Sequence, residues 1–329
     1  MLAVAFAAGY GWYQISDTGK GWRYEDKLAT YCDGLIPYNE SAVFTGLNTE
    51  VGLQSDKHYG YGSHGYNYCK VADMALTITL VPDDAVGSGS GASVVFKELQ
   101  ASPSDNVPVA LGGGWYGYTD LRNTSVVLPC NNKSASVVVS IDGDESHENP
   151  SEARAMGELA AATARNAADR WSCKSNYGGR ISKISSAPTE QRSAGAATKS
   201  CKSIPTPEDE GIDWIKESDA SGTTPLEECV LGESKARDEP LYYLKASFGP
   251  YAQGLRSTTD EPDALNADTG VSRHQAWATA ACPGASRAVF SIYATEYADP
   301  QQSFLLSALR AFAEQSAVRH GCTDVKLPR

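Results

Sequence analysis

Gly60, Gly62 and Gly65 meet the spacing G-x-G-x-x-G, which in a dinucleotide site lets the backbone approach a pyrophosphate at the start of a helix. Here the run continues as Tyr66, Asn67, Tyr68 and Cys69 rather than as a helix, so no nucleotide and no other cofactor is expected. The five histidines, His58, His64, His147, His274 and His320, fall in no H-E-x-x-H spacing, and no G-x-S-x-G elbow accompanies them. Asp142, Asp144, Glu145, His147 and Glu148 form an acidic loop that lacks the length and alternation of an EF-hand, and it reads as solvated rather than metal-binding. A carboxylate pair for glycoside hydrolysis need only meet in space, and nothing in the sequence selects its two members. No catalytic residue, cofactor-binding residue or metal ligand is therefore assigned, and the chain is not expected to be an enzyme.

The better candidates are two Gly-aromatic loops. Tyr59, Tyr61, His64, Tyr66 and Tyr68 occupy one, and Trp115, Tyr116 and Tyr118 the other. Rings on Gly-rich backbone suit contact with sugars or protein surfaces. The bland alternative is that these rings fold back onto a sheet or pack between modules.

The elements that must hold these loops are legible in a repetition. NPSEARAMGELAAATARNAADRWSC (149–173) and DPQQSFLLSALRAFAEQSAVRHGC (299–322) share a plan: Asn or Asp before Pro, Glu or Gln two residues later, a helix, then A-x-R-x-x-C. Asn149 and Asp299 are N-cap types, Pro150 and Pro300 suit the first helical position, and Glu152 and Gln302 the capping-box position. Met156, Ala160, Thr163, Ala167 and Trp171 match Leu305, Leu309, Phe312, Ser316 and His320 as one stripe to be buried on a sheet. The first stripe is smaller, so its partner surface must lie closer or carry bigger side chains. Arg170 and Arg319 favour the negative end of each helix.

Upstream of each helix, Ser140-Ile141 and Ser291-Ile292 sit in apolar strand sequences. Further strands are predicted over 75–81, 94–99, 125–128, 179–185, 241–248, 275–281 and the C-terminal TDVKLPR. Short helices are predicted at 40–45 and 207–216, the latter from Glu208, Asp209 and Glu210 in its first turn.

The 329 residues suit two domains, and 40 acidic against 28 basic side chains, net −12, argue against a nucleic-acid partner. Cysteines fall four to each half: Cys32, Cys69, Cys130 and Cys173, then Cys201, Cys229, Cys282 and Cys322. Their wide spacing excludes zinc ribbons and redox dithiols and points to disulfides in an oxidising compartment. Sequential pairing is the expectation, although four cysteines allow three pairings per half.

The uncharged stretch 1–16 reads as the outer part of a membrane anchor or a signal remnant, with Tyr10, Trp12 and Tyr13 at the water interface. Residues 17–31 read as a juxtamembrane tether ending in a short helix over 24–31, 32–189 as a first module, 190–200 as a linker and 201–329 as a second module. The fold class is α+β: two tandem duplicated modules, each an antiparallel sheet with a short N-terminal and a long C-terminal helix, stapled by disulfides.

From Cys32 to about Val81, a cysteine with a Leu-Ile-Pro turn, a short helix, a second cysteine and a strand together resemble the repeating unit of actinobacterial cell-envelope proteins. Those include small secreted lipoproteins and extracytoplasmic sensor domains of envelope kinases. The resemblance implies a module outside the membrane that binds or senses; no lipobox or kinase segment accompanies it here. The expected function is a non-enzymatic binding or sensing protein on the extracytoplasmic side of the cell membrane, partnered by the membrane and by a cell-wall component or envelope protein. The alternatives are a structural component of an envelope assembly and, third, an envelope hydrolase.

Overall fold

A computed structural model describes the chain except for residues 1–12, 14–15, 61–64, 86–91, 100–103, 145–146, 186–188, 235–237, 259–266 and 284–285. It is α+β, with two antiparallel sheets and four disulfides. The first half opens on α1 (Asp17–Leu28) and α2 (Tyr38–Thr45). Its strands are β1 (Asp56–Tyr59), β2 (Tyr66–Val71), β3 (Met74–Pro82), β4 (Val109–Ala110), β5 (Gly117–Thr119), β6 (Asn123–Pro129) and β7 (Ala135–Asp142), in spatial order β1-β2-β3-β7-β6-β5-β4. Helix α3 (Ala92–Leu99) lies in the connection after β3, and α4 (Pro150–Arg170) follows β7.

The second half has β8 (Arg192–Ser193), β9 (Trp214–Glu217), β10 (Leu226–Glu233), β11 (Glu239–Ser247), β12 (Gly270–Val271), β13 (Gln275–Ala281) and β14 (Ala288–Ala294). They are ordered β12-β13-β14-β11-β10-β9-β8, with β15 (Thr323–Lys326) beside β13. Helix α5 (Pro250–Thr258) follows β11, and α6 (Gln302–Arg319) follows β14.

Strand alternation gives each sheet two faces. Val126, Val137, Val139 and Ile141 face α4, while their neighbours Val127 and Val138 point the other way. In the second sheet Tyr242, Leu244, Phe290 and Ile292 face α6, and Tyr243, Lys245 and Tyr293 point away. Four positions of each expected stripe are buried, Met156, Ala160, Thr163 and Ala167 in α4 and Leu305, Leu309, Phe312 and Ser316 in α6, whereas the fifth, Trp171 or His320, lies just past the helix end and is half-buried. The Ala-rich α4 lies on Val, Leu and Ile, whereas Phe304, Leu305, Leu309 and Phe312 of α6 lie over a face that mixes Ala276, Ala278, Ala280 and Ala288 of β13 and β14 with Tyr242, Leu244, Phe290 and Ile292. The alanines of β13 and β14 make room for the larger side chains of α6, as close packing requires.

The bridges pair in sequence: Cys32 with Cys69, Cys130 with Cys173, Cys201 with Cys229 and Cys282 with Cys322. The second and fourth tie the residue just past α4 or α6 to the end of a strand beneath it.

Several local expectations are corrected. The helix expected over 24–31 begins earlier and ends sooner: α1 starts at Asp17, capped by the Ser16 hydroxyl accepting from Gly19 N–H at 3.0 Å, and stops at Leu28, with Tyr24, Leu28 and Tyr31 buried in the first core. Residues 94–99 belong to helix α3 instead of a strand. The predicted helix 207–216 stops after one 3-10 turn at left-handed Gly211 (φ 68°), and the chain enters β9. Residues 179–185 form no strand, although Ile181 and Ile184 are buried. The expected linker contributes the edge strand β8, where Arg192 bridges Glu217 at 3.1 Å. Asn149 caps α4, accepting from Ser151 and Glu152 N–H, but α6 begins after Gln301 and exposed Asp299 caps nothing. The anchor reading falls on residues outside those described, apart from Tyr13 and Ser16; among the described residues no helix is long and apolar enough to cross a membrane.

Candidate functional site

The faces turned away from α4 and α6 are turned toward each other. At one end the gap is closed by a shared apolar cluster in which Val95, Phe96 and Leu99 of α3 meet Tyr251 of α5, with Val81, Tyr118, Val127 and Val138. Gln253 of α5 donates to the carbonyls of Pro82 and Asp83 at 3.0 and 2.6 Å, locking α5 onto the end of β3. Residues 104–108 of the first half cross onto the second sheet, where Val107 is buried with Trp214 and Val230, and Lys216 donates to the Asp105 carbonyl at 3.1 Å.

Between these two closures lies a polar cleft of about 940 Å³. From the first half it receives Tyr118, Asp120 and Arg122, carried by the β5–β6 turn. Leu121 in that turn has φ 79°, a left-handed conformation unfavourable for a branched residue. Asp120 secures it, accepting from Arg122 N–H at 3.1 Å, Asn123 N–H at 2.6 Å and the Asn123 amide at 2.9 Å. Burial pushes the Asp120 carboxyl up to about 6 against those hydrogen bonds, and the Glu228 charge adds to the rise. Arg122 donates from Nε to the Gly143 carbonyl at 3.1 Å.

From the second half come Glu228 of β10, Tyr243 and Lys245 of β11 and Tyr293 of β14. Register brings them together: Glu228 is opposite Lys245, and Tyr243 opposite Tyr293. The two tyrosine rings stack at 4.9 Å and 11°, and the Lys245 ammonium lies 5.4 and 5.8 Å from their centroids while bridging Glu228 at 3.3 Å. Burial pushes the Glu228 carboxyl up, only partly offset by Lys245 and Lys216, and pushes the Tyr293 hydroxyl to about 12. The site thus offers stacked aromatic faces, one ammonium, one guanidinium and two carboxyls held closer to their neutral forms than in water.

Among the described residues, the Gly-aromatic loops reach this cleft only through Tyr118, which is buried and meets Tyr251 edge-on at 5.7 Å. Trp115 is a core residue, 1% exposed, donating to the Gly179 carbonyl at 2.7 Å with the Arg165 guanidinium 4.8 Å over its ring. Tyr116 packs against the second core. Tyr59 is exposed and stacks at 5.3 Å on buried Tyr66, with Tyr68 edge-on to it at 6.3 Å. Tyr61 and His64 lie outside the described residues. Sequence reasoning missed Asp120, Arg122, Glu228, Tyr243, Lys245 and Tyr293. The one signal available was the alternation in LYYLKASF, which sets Tyr243 and Lys245 opposite the apolar face.

No family model matches the chain, and no curated protein matches it. Among solved structures it is similar at 10% identity to DynU16, a protein of the dynemicin biosynthetic locus, over 86% of this chain and 91% of that one, with a TM-score of 0.15. A likeness of that size carries neither fold nor function.

Proposed function

We propose that this chain is a non-enzymatic binding or sensing protein of a bacterial cell envelope, acting on the extracytoplasmic side of a membrane to which its N-terminus anchors it, and that its ligand occupies the cleft between the sheets. The observation that carries the reading is the cleft itself, with the Tyr243–Tyr293 stack and the Glu228–Lys245 pair on one wall and Asp120 and Arg122 on the other. Tyrosine faces beside charged hydrogen-bonding groups suit a saccharide-bearing cell-wall fragment. Four disulfides among eight cysteines support the oxidising compartment.

The halves are duplicated modules in this reading. Support comes from equivalent strand orders, β2-β3-β7-β6 and β10-β11-β14-β13, each with one helix in the connection to the third cysteine and one before the fourth. The likeness of residues 32–81 to actinobacterial envelope modules agrees with it.

The test is retention of cell-wall fragments by the disulfide-intact chain. Tyr243→Ala and Lys245→Ala should each weaken binding at least tenfold, and Asp120 makes it pH-dependent: binding that uses its charge should strengthen as pH rises through about 6. Parental retention by both variants would exclude the cleft. A second reading, an envelope hydrolase, is favoured by the two raised carboxyls in one cleft, Asp120 and Glu228. Turnover of a wall fragment abolished in Asp120→Asn would select it over simple binding.

A further inference from the structure

Away from the cleft, the β2–β3 turn and the β7–α4 connection bring Asp73, Asp144 and His147 together, with one donor atom of each within 4.8 Å of the others. Glu152, in the first turn of α4, stands beside them. A separate cavity of about 780 Å³ opens here, lined by Thr45, Asn48, Gln54, Asp73, His147 and Glu152.

We propose that this is a binding site for a divalent first-row transition ion, zinc in the first instance, with Asp73, Asp144 and His147 as ligands. The argument turns on the two nitrogens of His147. The residue is 8% exposed, its Nε2 is 2.9 Å from the Asp73 carboxylate, and its Nδ1 is buried without a hydrogen-bond partner, 3.7 Å from the Glu152 carboxylate. A neutral ring has one N–H and one lone pair. If the proton sits on Nε2 to serve Asp73, the Nδ1 lone pair is buried facing a second carboxylate, which is repulsive. A cation between Nε2 and the two aspartates removes that conflict. Nδ1 then carries the proton toward Glu152, the carboxylate–histidine–metal arrangement that orients metal-bound imidazoles.

The donor set selects the ion class. Calcium takes six to eight oxygens, whereas imidazole with carboxylates suits zinc and its neighbours. Zinc bonds of about 2.0–2.2 Å set tetrahedral donors roughly 3.3–3.6 Å apart, so the exposed Asp73 and Asp144 side chains must swing inward on binding from a spread of up to 4.8 Å. The positive end of α4 opposes a cation here, and the Asn149 cap and the Glu152 charge counter it.

The test is a zinc titration of the untagged, disulfide-intact chain after chelator treatment, read by calorimetry and bound-metal content. One ion per chain is expected. Asp73→Asn and His147→Gln should each weaken binding at least tenfold, and Glu152→Gln by about 10–100-fold with the stoichiometry kept. Should His147→Gln fail to fold, Asp73→Asn decides, because that side chain is 48% exposed. Absence of saturable binding would overturn the proposal. One ion bound equally by parent and Asp73→Asn would equally overturn it, as an adventitious ion only.

Discussion

Glu227 stands where β10 runs under the end of α6, with no side-chain exposure, and accepts from Ser316 at 2.7 Å, from Arg319 at 3.2 and 2.5 Å and lies 2.9 Å from His320 Nε2. Burial pushes its carboxyl up, but His320 and Arg319 outweigh that and hold it below the ordinary range. Arg319 is thereby committed to structure, as Arg170 is to Asp33 at 3.1 Å. Glu227→Ala would leave the Arg319 guanidinium and the His320 ring facing a desolvated hole, at a cost of about 3–5 kcal/mol in urea unfolding with disulfides intact. Because the folded carboxyl titrates lower than the unfolded one, its stabilisation is present above the unfolded value and lost as pH falls through the folded one. The gap in stability between the parent and Glu227→Gln should therefore narrow on acidification below about pH 4.5, and a gap independent of pH would contradict this account.

The paired helices separate what sequence makes visible from what it hides. Their buried stripes are legible because the 3.6-residue period survives any change of side-chain size, so alanines in α4 and phenylalanines in α6 mark the same face. Cap chemistry is less transferable. Asn149→Ala should cost about 1 kcal/mol, whereas Asp299→Ala should stay within about 0.5 kcal/mol of the parent, since α6 starts three residues later. Thermal unfolding of the two variants checks both, and equal losses would mean that Asp299 caps after all. Short apolar runs carry even less: SVVF in α3 is too brief for periodicity to separate a buried helix from a strand. The acidic trio Glu208, Asp209 and Glu210 imitates a helix start because one 3-10 turn exposes the same amide groups.

For the molecule as a whole, the cleft was beyond reach of the sequence because its walls come from opposite halves. Asp120 and Tyr243 are far apart in the chain and become neighbours only when α3 and α5 dock. That docking is shared core rather than loose contact, since Tyr251 and Gln253 of the second half are buried on the first. The halves should consequently unfold together, with near- and far-ultraviolet circular dichroism tracing one coincident transition. A Tyr251→Ala, Gln253→Ala double variant should split it into two, because each half keeps its own helix-on-sheet core.

All four bridges join each cysteine to the next one in the chain, and none joins the halves. An oxidase acting on this polypeptide as it is threaded N-terminus first would form every correct bond in the order in which thiols emerge, with no earlier bond to undo. Oxidative refolding of the reduced chain should accordingly pass through few mispaired species, since each native bond joins neighbouring thiols along the chain.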